Sequence, residues 1–287
     1  MQIVSTLDPL RSAVTQLRAS GKLALVPTMG ALHEGHLTLV REARRLADHV
    51  AVSIFVNPLQ FGANEDLDAY PRQFERDSTL LEAEGVALLW APTVDVMYPL
   101  GFATNVSVAG VSEGLCGAAR PGHFDGVATV VCKLFNQVRP DMALFGEKDW
   151  QQLAVIRRMA RDLDLALPAA MDIHGVPTVR EPDGLARSSR NAYLTARQRA
   201  QAAALPAAMK RAITAIEGGG EVSRALEALE SELKTAGFVS ADYVRLCDAE
   251  SLEELGARSQ RPMRLLVAAR IGTTRLIDNM AVEPASY

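Results

Sequence analysis

The sequence predicts an α/β protein in two domains. Residues 22–26 and 50–56 are short runs of nearly continuous apolar side chains, the pattern of strands buried on both faces of a parallel sheet. Each run is followed by apolar residues at helical spacing, which is the alternation of βαβ units. Beyond residue 191 the composition shifts to Ala-rich helical stretches followed by strand patterns. A parallel-sheet, Rossmann-like domain is therefore placed at 1–177 and a smaller α+β domain at 178–287.

In chain order, Leu10, Ala13, Val14 and Leu17 line one face of a helix over 8–20, which Gly21 ends. The strand at 22–26 leads into a helix carrying Leu37, Val40, Ala43 and Leu46. The β-branched strand at 50–56 stops at Asn57-Pro58. After a polar loop at 64–71 come a helix reaching Glu84 and a strand at 86–90. Residues 99–125, rich in Gly, Pro and small side chains, read as a long excursion of the kind that often carries function. Val127, Val130, Val131, Leu134 and Val138 make an amphipathic helix, 142–145 a strand, and Leu153, Ile156, Met159 and Leu163 a further helix face. Residues 167–177 read as the last strand of the domain, and 179–184 as a turn. In the second domain, 195–217 reads as one helix kinked by Pro206 and 221–236 as another. Strands are expected at 243–246, 263–271 and 275–277.

The chemistry-bearing residues stand where strands give way to helices, the carboxyl edge at which open α/β sheets bind ligands. Between the strand at 22–26 and its helix lie Gly30 and Gly35, suited to close approach or positive φ, and His33 and His36. A helix N-terminus favours an anion, and two imidazoles three residues apart can lean towards the same one. The zinc pattern of metalloproteases is excluded, because it needs His at i and i+4 on a continuous helix. Gln60, after the second strand, reads either as a ligand clamp or as a loop amide bonded to backbone. Asp66, Asp68 and Asp77 read either as solvated acids or as partners of a hydrated Mg²⁺ held with substrate phosphates.

A second cluster is Gly146-Glu147-Lys148-Asp149 with Gln152 a turn later. A cation opening a helix opposes the dipole unless a phosphate is bound beside it, so Lys148 reads as a phosphate ligand or as a solvated surface charge. A third cluster is Arg187-Ser188-Ser189-Arg190: guanidinium forks and hydroxyls match phosphate, or else form a basic surface loop. Arg120 likewise faces an anionic ligand or solvent. There is no P-loop, no Gly-x-Ser-x-Gly elbow and no Gly-x-Gly-x-x-Gly fingerprint. What remains is a nucleotide cradle without an evident covalent nucleophile. It suits attack by a carboxylate or phosphate on the α-phosphorus of ATP, chemistry made of positioning and charge stabilisation.

The net charge of -4 and the lack of an aromatic-studded basic face argue against nucleic acid as a partner. No apolar run reaches membrane-spanning length, and residues 1–6 lack the basic and apolar regions of a secretory signal. The three cysteines, Cys116, Cys132 and Cys247, lack metal-ligand spacing and read as reduced thiols of a cytoplasmic protein.

His33-Glu34-Gly35-His36 resembles the His-x-Gly-His signature of the nucleotidyltransferase superfamily, and Arg187-Ser188-Ser189-Arg190 looks like the counterpart of its Lys-Met-Ser-Lys-Ser loop. With Pro27-Thr28-Met29-Gly30-Ala31-Leu32, Ile54-Phe55-Val56-Asn57-Pro58-Leu59-Gln60-Phe61, Gly122-His123-Phe124, Phe145-Gly146-Glu147-Lys148-Asp149 and Ser188-Ser189-Arg190-Asn191, the chain is similar along its whole length to the pantoate–β-alanine ligase family. The resemblance implies ATP- and Mg²⁺-dependent joining of pantoate to β-alanine through a pantoyl adenylate, in a cytoplasmic homodimer. It implies that Met29, Gly30, Ala31, Leu32, His33, Glu34, Gly35 and His36 line the ATP site, with His36 as proton donor and His33 at the phosphates. Gly146, Glu147, Lys148, Asp149, Val179, Arg187, Ser188, Ser189 and Arg190 would complete it. His33, His36, Lys148, Ser188, Ser189 and Arg190 would carry catalysis. Gln60 and Gln152 would hold pantoate, Gln60 would also meet β-alanine, and Asp77 would partner Mg²⁺. The second domain would close over the active site. The family usually has Met where this chain has Arg187. If that position meets ATP through its backbone, function survives; if the Met side chain packs, the closed loop is less well held. The alternative is another small-molecule adenylyltransferase of the superfamily.

Overall fold

The computed structural model describes residues 1–62 and 67–285. In chain order the elements are β1 (Gln2–Val4), α1 (Leu7–Ser20), β2 (Leu23–Thr28), α2 (Glu34–Leu46), β3 (His49–Ile54), α3 (Phe74–Ala83), β4 (Leu88–Trp90), α4 (Val94–Met97) and α5 (Cys116–Ala119). Then come α6 (His123–Val138), β5 (Met142–Gly146), α7 (Trp150–Asp162), β6 (Ile173–Val176), α8 (Ala196–Ala202), α9 (Ala204–Glu217), α10 (Val222–Ala236), β7 (Ser240–Asp248), β8 (Met263–Ile271) and β9 (Thr274–Val282). The chain divides into two compact units. One comprises Met1–Ser112, Arg120–Glu147 and Gln152–Pro177; the other comprises Glu113–Ala119, Lys148–Gln151 and Thr178–Tyr287.

The first unit holds a six-stranded sheet in the order β1-β4-β3-β2-β5-β6, with every neighbouring pair parallel. Successive side chains of a strand point to opposite faces, so a run apolar at every position needs cover on both. Ala24 and Val26 of β2 join Val50, Val52, Leu89 and Leu144 in a core closed by Leu39, Val40 and Ala43 of α2. Leu23 and Leu25, on the alternate positions of β2, are fully buried as well, and α6 packs against β2 and α1. From β2 the chain steps outward through β3 to β4, then returns to β5 on the other side of β2. The winding reverses between β2 and β5, the switch point at which such sheets bind ligands.

Sequence periodicity missed or displaced some elements, for identifiable reasons. β1 is three residues long, too short for a period to show. α6 begins at His123, inside the expected excursion, because left-handed Gly122 (φ 79°) starts it before its apolar stripe does. The strand expected over 167–177 shrinks to β6, preceded by a 3₁₀ turn at Ala170–Asp172. Pro206 does not kink a long helix. The helix breaks earlier, at Ala203, and Pro206 lies in the first turn of α9, where its missing N–H has no intrahelical partner to lose.

The second unit pairs β7, β8 and β9 in an antiparallel sheet. Leu205, Met209 and Ile216 of α9 and Leu229 and Leu233 of α10 share its core with Val244, Leu246, Leu265, Val267 and Ile271. β9 extends well past the expected 275–277 because polar Asp278 and Asn279 interrupt its apolar pattern while remaining buried. Arg180 reaches Asp278 with both guanidinium ends, at 2.7 and 2.9 Å, and the Asp278 side chain has no exposed surface. Removing one partner of such a pair strands a buried charge. Arg180→Ala, which leaves the fully buried Asp278 carboxylate without its cation, is therefore expected to cost about 3–5 kcal/mol of stability, read as a lowered denaturant midpoint at unchanged slope.

Candidate active site

The two histidines of the turn after β2 cap the helix they precede. His33 is the N-cap of α2: its Nδ1 accepts the Gly35 N–H at 3.1 Å, and His36 Nδ1 accepts the His33 N–H at 3.3 Å. The rings lie with centroids 4.1 Å apart. A nitrogen that accepts a backbone N–H carries no hydrogen, so this bonding assigns the neutral imidazole proton to Nε2 in both rings. The turn thus presents two ring donors at a helix N-terminus. Gly35 is required for it, since a Cβ there would stand 2.8 Å from His33 Cε1 and 3.0 Å from its Nδ1.

The turn itself is held from α3. Gly30 (φ 81°) and Ala31 (φ 51°) are left-handed. The N–H of Ala31 donates to Asp77 Oδ2 at 2.7 Å and that of Leu32 to Oδ1 at 2.9 Å. Asp77 is 1% exposed, so neither oxygen is open to a hydrated ion that keeps several waters. Asp68 is exposed, and Asp66 lies outside the described residues. Among the described residues no group of three or more His, Cys, Asp or Glu could hold a metal. Asp77 thus does not fit the Mg²⁺ role that the resemblance implies.

Gln60 closes a 3₁₀ turn at Pro58–Gln60, with residues 55–57 between that turn and the end of β3. Its Oε1 accepts from Asn57 Nδ2 at 3.1 Å, and its Nε2 donates to Met29 Sδ at 3.1 Å. Asn57, 1% exposed, also donates to Gly126 O at 3.0 Å and accepts at Oδ1 from Tyr98 Oη at 2.7 Å. Burial pushes the Tyr98 phenol well above its ordinary range, so it stays a donor. The Gln60 carbonyl accepts from His123 Nδ1 at 2.8 Å and from Arg120 at 3.2 Å. Arg120 also meets His123 Nε2 at 2.9 Å, which makes His123 a neutral ring with its proton on Nδ1. A Cβ on Gly126 would fall 2.2 Å from the Leu59 carbonyl oxygen, so α6 approaches this turn closely only because it has none.

Gly146 ends β5, the strand next to β2, and Glu147 follows it into a 3₁₀ turn at Glu147–Asp149. Lys148 therefore precedes α7 instead of sitting in its first turn, with its ammonium 3.7 Å from the Asp149 carboxylate. Gln152 is a half-buried residue of α7. Its neighbour Gln151, 5% exposed, is committed to structure: its Nε2 donates to Gly114 O at 2.8 Å and its Oε1 accepts the Cys116 N–H at 2.9 Å.

In the second unit, Val179 and Arg187 are joined by a 2.9 Å backbone bond across a tight turn at left-handed Gly184 (φ 90°). Arg187 pairs with Glu181 at 3.1 Å, so its charge is neutralised within its own loop. Ser188 Oγ accepts the Arg190 N–H at 3.3 Å and caps the 3₁₀ turn Ser189–Tyr193. Asn279 Nδ2 donates to the Lys148 carbonyl at 2.8 Å, and its Oδ1 accepts from Arg264, which stacks 3.4 Å over Trp150. β9 thereby anchors the Lys148 backbone through Asn279 and the 179–187 hairpin through Asp278.

A family model described as pantoate-beta-alanine ligase matches residues 2–281. The chain belongs to the pantoate–β-alanine ligase family. It is 72% identical over 285 residues to a pantothenate synthetase of Novosphingobium aromaticivorans, covering 99% of this chain and 100% of the relative. To one of Sphingopyxis alaskensis it is 62% identical over 283 residues, 98% of this chain and 100% of the relative. Among solved structures, Thermus thermophilus pantothenate synthetase superposes with a TM-score of 0.90 at 48% identity, over 99% of this chain and 100% of that one. A Francisella tularensis pantoate–β-alanine ligase complexed with beta-gamma ATP and beta-alanine superposes with a TM-score of 0.83 at 32% identity, over 99% of each chain.

Within this pantoate–β-alanine ligase fold, residue-type reasoning overlooked the supports: Asn57, Tyr98, Gly126, Asp278 and Asn279. Only Asn57 left a local signal, an Asn-Pro stop that was legible as a terminator and not as an anchor. Gly35→Ala tests the histidine geometry without unfolding the chain. The helix-propensity gain of Ala over Gly, about 1 kcal/mol, offsets the lost cap, also about 1 kcal/mol. Thermal stability is expected to stay near wild type while ¹⁵N spectra show His33 losing its fixed tautomer.

Proposed function

We propose that this chain condenses (R)-pantoate with β-alanine, using ATP, to give pantothenate, AMP and diphosphate. A pantoate carboxylate oxygen attacks the α-phosphorus, the new O–P bond forms, and the bond to diphosphate breaks. The neutral amine of β-alanine then attacks the acyl carbon of pantoyl adenylate. The C–N bond forms, AMP leaves with the electrons of the acyl C–O bond, and the amine gives up a proton.

The observation that carries this reading is the pair of Nε2–H donors held by reciprocal caps at the sheet's switch point, in a member of this ligase family. Fixed donors aimed at developing charge need no reorganisation during the reaction. His36 is the proton donor and His33 faces the phosphates. Met29, Gly30, Ala31, Leu32, Glu34 and Gly35 line the nucleotide with them, and Gly146, Glu147, Lys148, Asp149 and Val179 bind its remaining parts. Lys148, Ser188, Ser189 and Arg190 offset phosphate charge. Arg187 contributes its backbone, since its guanidinium is engaged by Glu181. Gln60 and Gln152 hold pantoate, and Gln60 also meets β-alanine. ATP is taken as its Mg²⁺ complex, with the ion on substrate phosphates. The protein works in the cytoplasm as a homodimer.

Incubation with ATP, Mg²⁺ and pantoate is expected to release diphosphate in a single enzyme-equivalent burst, with AMP and pantothenate appearing only after β-alanine is added. A dinucleotide product, or AMP without β-alanine, would refute the ligase reading. Removing one fixed donor costs about 2.7–4 kcal/mol of barrier. His36→Ala is therefore expected to lower kcat about a hundredfold or more while its unfolding curve stays cooperative; near-normal turnover would remove the role given to His36.

A further inference from the structure

We infer that Asp77 is a positioning residue that sets the backbone from which His33 and His36 are presented, and that it is not a metal ligand. The inference rests on the ATP-dependent reading of that turn.

Left-handed backbone at a non-glycine residue is unfavourable and persists only where surrounding bonds over-determine it. Ala31 is such a residue, next to left-handed Gly30. Its conformation turns two consecutive amides, those of Ala31 and Leu32, inward onto the two oxygens of Asp77 at 2.7 and 2.9 Å. Successive N–H groups converging in this way form an anion-binding concavity, and here the anion is a side chain of the protein. Thr28 completes the turn: its Oγ1 accepts the Gly30 N–H at 3.2 Å and donates to Ser53 O at 2.8 Å. A Cβ on Gly30, already strained by the left-handed φ, would press on Asp77 Oδ2 at 3.1 Å and on Ile54 Cγ2 at 3.2 Å.

The anchor is rigid. Asp77 lies in the first turn of α3, with its own N–H bonded to Gln73 O at 2.9 Å, and fully buried Leu81 fixes the same helix in the core. The far end of the chain of bonds is the catalytic pair. Leu32 is followed directly by His33, whose ring and N–H make the reciprocal cap with Gly35 and His36. A shift at Leu32 therefore moves both imidazoles. A hydrated Mg²⁺ would instead need an oxygen facing water, and both Asp77 oxygens face backbone donors in a side chain 1% exposed.

Asp77→Asn keeps the shape but turns an amide donor towards one of the two backbone donors. A misplacement of about 1 Å costs about a hundredfold in rate. The variant is expected to lose activity on that scale, measured per active site titrated by the diphosphate burst. Its Mg²⁺ concentration for half-maximal rate should equal that of wild type, and the Nδ1-acceptor signature of His33 and His36 in ¹⁵N spectra should disappear. Recovery of wild-type kcat at raised Mg²⁺ would overturn the inference in favour of a metal ligand, and unchanged kinetics would overturn it outright. Should the variant not fold, the wild-type chain decides. Without nucleotide, Mn²⁺ should leave the downfield Ala31 and Leu32 amide resonances unbroadened, and selective broadening of those two refutes the inference. If the wild-type chain makes no pantothenate, the ligase reading fails, while the Mn²⁺ arm still tests what Asp77 binds.

Discussion

On leaving β2 the backbone must bend through left-handed Gly30 and Ala31 before α2 can begin, and the placement of His33 and His36 depends on that bend. Without it the amides of Ala31 and Leu32 would not meet Asp77, and His33 would not stand at the N-cap. The bend has three supports: Thr28 below, Asp77 beside it, and the reciprocal histidine cap beyond. Each satisfies a backbone donor that a helix start or a tight turn would otherwise leave unpaired. One nitrogen of each histidine thus holds the helix and the other carries the proton, which on the proposed reading makes the pair chemical as well as structural.

The same economy recurs elsewhere. Buried polar side chains in this protein mostly hold loop backbone in place. Asn57 ties Gln60 to α6, Gln151 ties the chain at Gly114 and Cys116, Asp278 ties Arg180, and Asn279 ties Lys148. A buried polar group costs free energy unless it is bonded, so each such residue specifies one loop geometry and penalises others. The loops at 146–149 and 187–190 themselves remain partly exposed.

The parallel sheet was legible because β2, β3 and β5 are short and apolar at nearly every position, and the histidine turn was legible because Gly and His at a strand–helix junction have few structural reasons to coincide. What stayed hidden was non-local. Nothing near Asp77 in the sequence says that it bonds amides some 45 residues earlier, and as a carboxylate near a polar loop it invited a metal reading. β9 was shortened because Asp278 and Asn279 look solvent-bound when read by hydropathy alone, although both are buried. Pro206 looked like a kink because periodicity does not reveal that Ala203 ends one helix and Ala204 begins another. The order of strands, which puts Thr28 and Gly146 on neighbouring strands, is likewise a property of the fold and not of any stretch of chain.

Gln60 shows what such anchoring means for recognition. With Oε1 held by Asn57, Nε2 held by Met29, and its carbonyl held by His123 and Arg120, the amide cannot flip. Its donor and acceptor ends are thereby fixed in a single polarity, the one the proposed pantoate contact would meet. On the proposed role, a compound lacking the matching hydroxyl or carboxylate forgoes the hydrogen bonds this oriented amide makes, and sites built on such pairing can reject an analogue by about 10⁴-fold or more. On that reading, close mimics of pantoate would fail by the polarity of their hydrogen bonds, with no steric clash required.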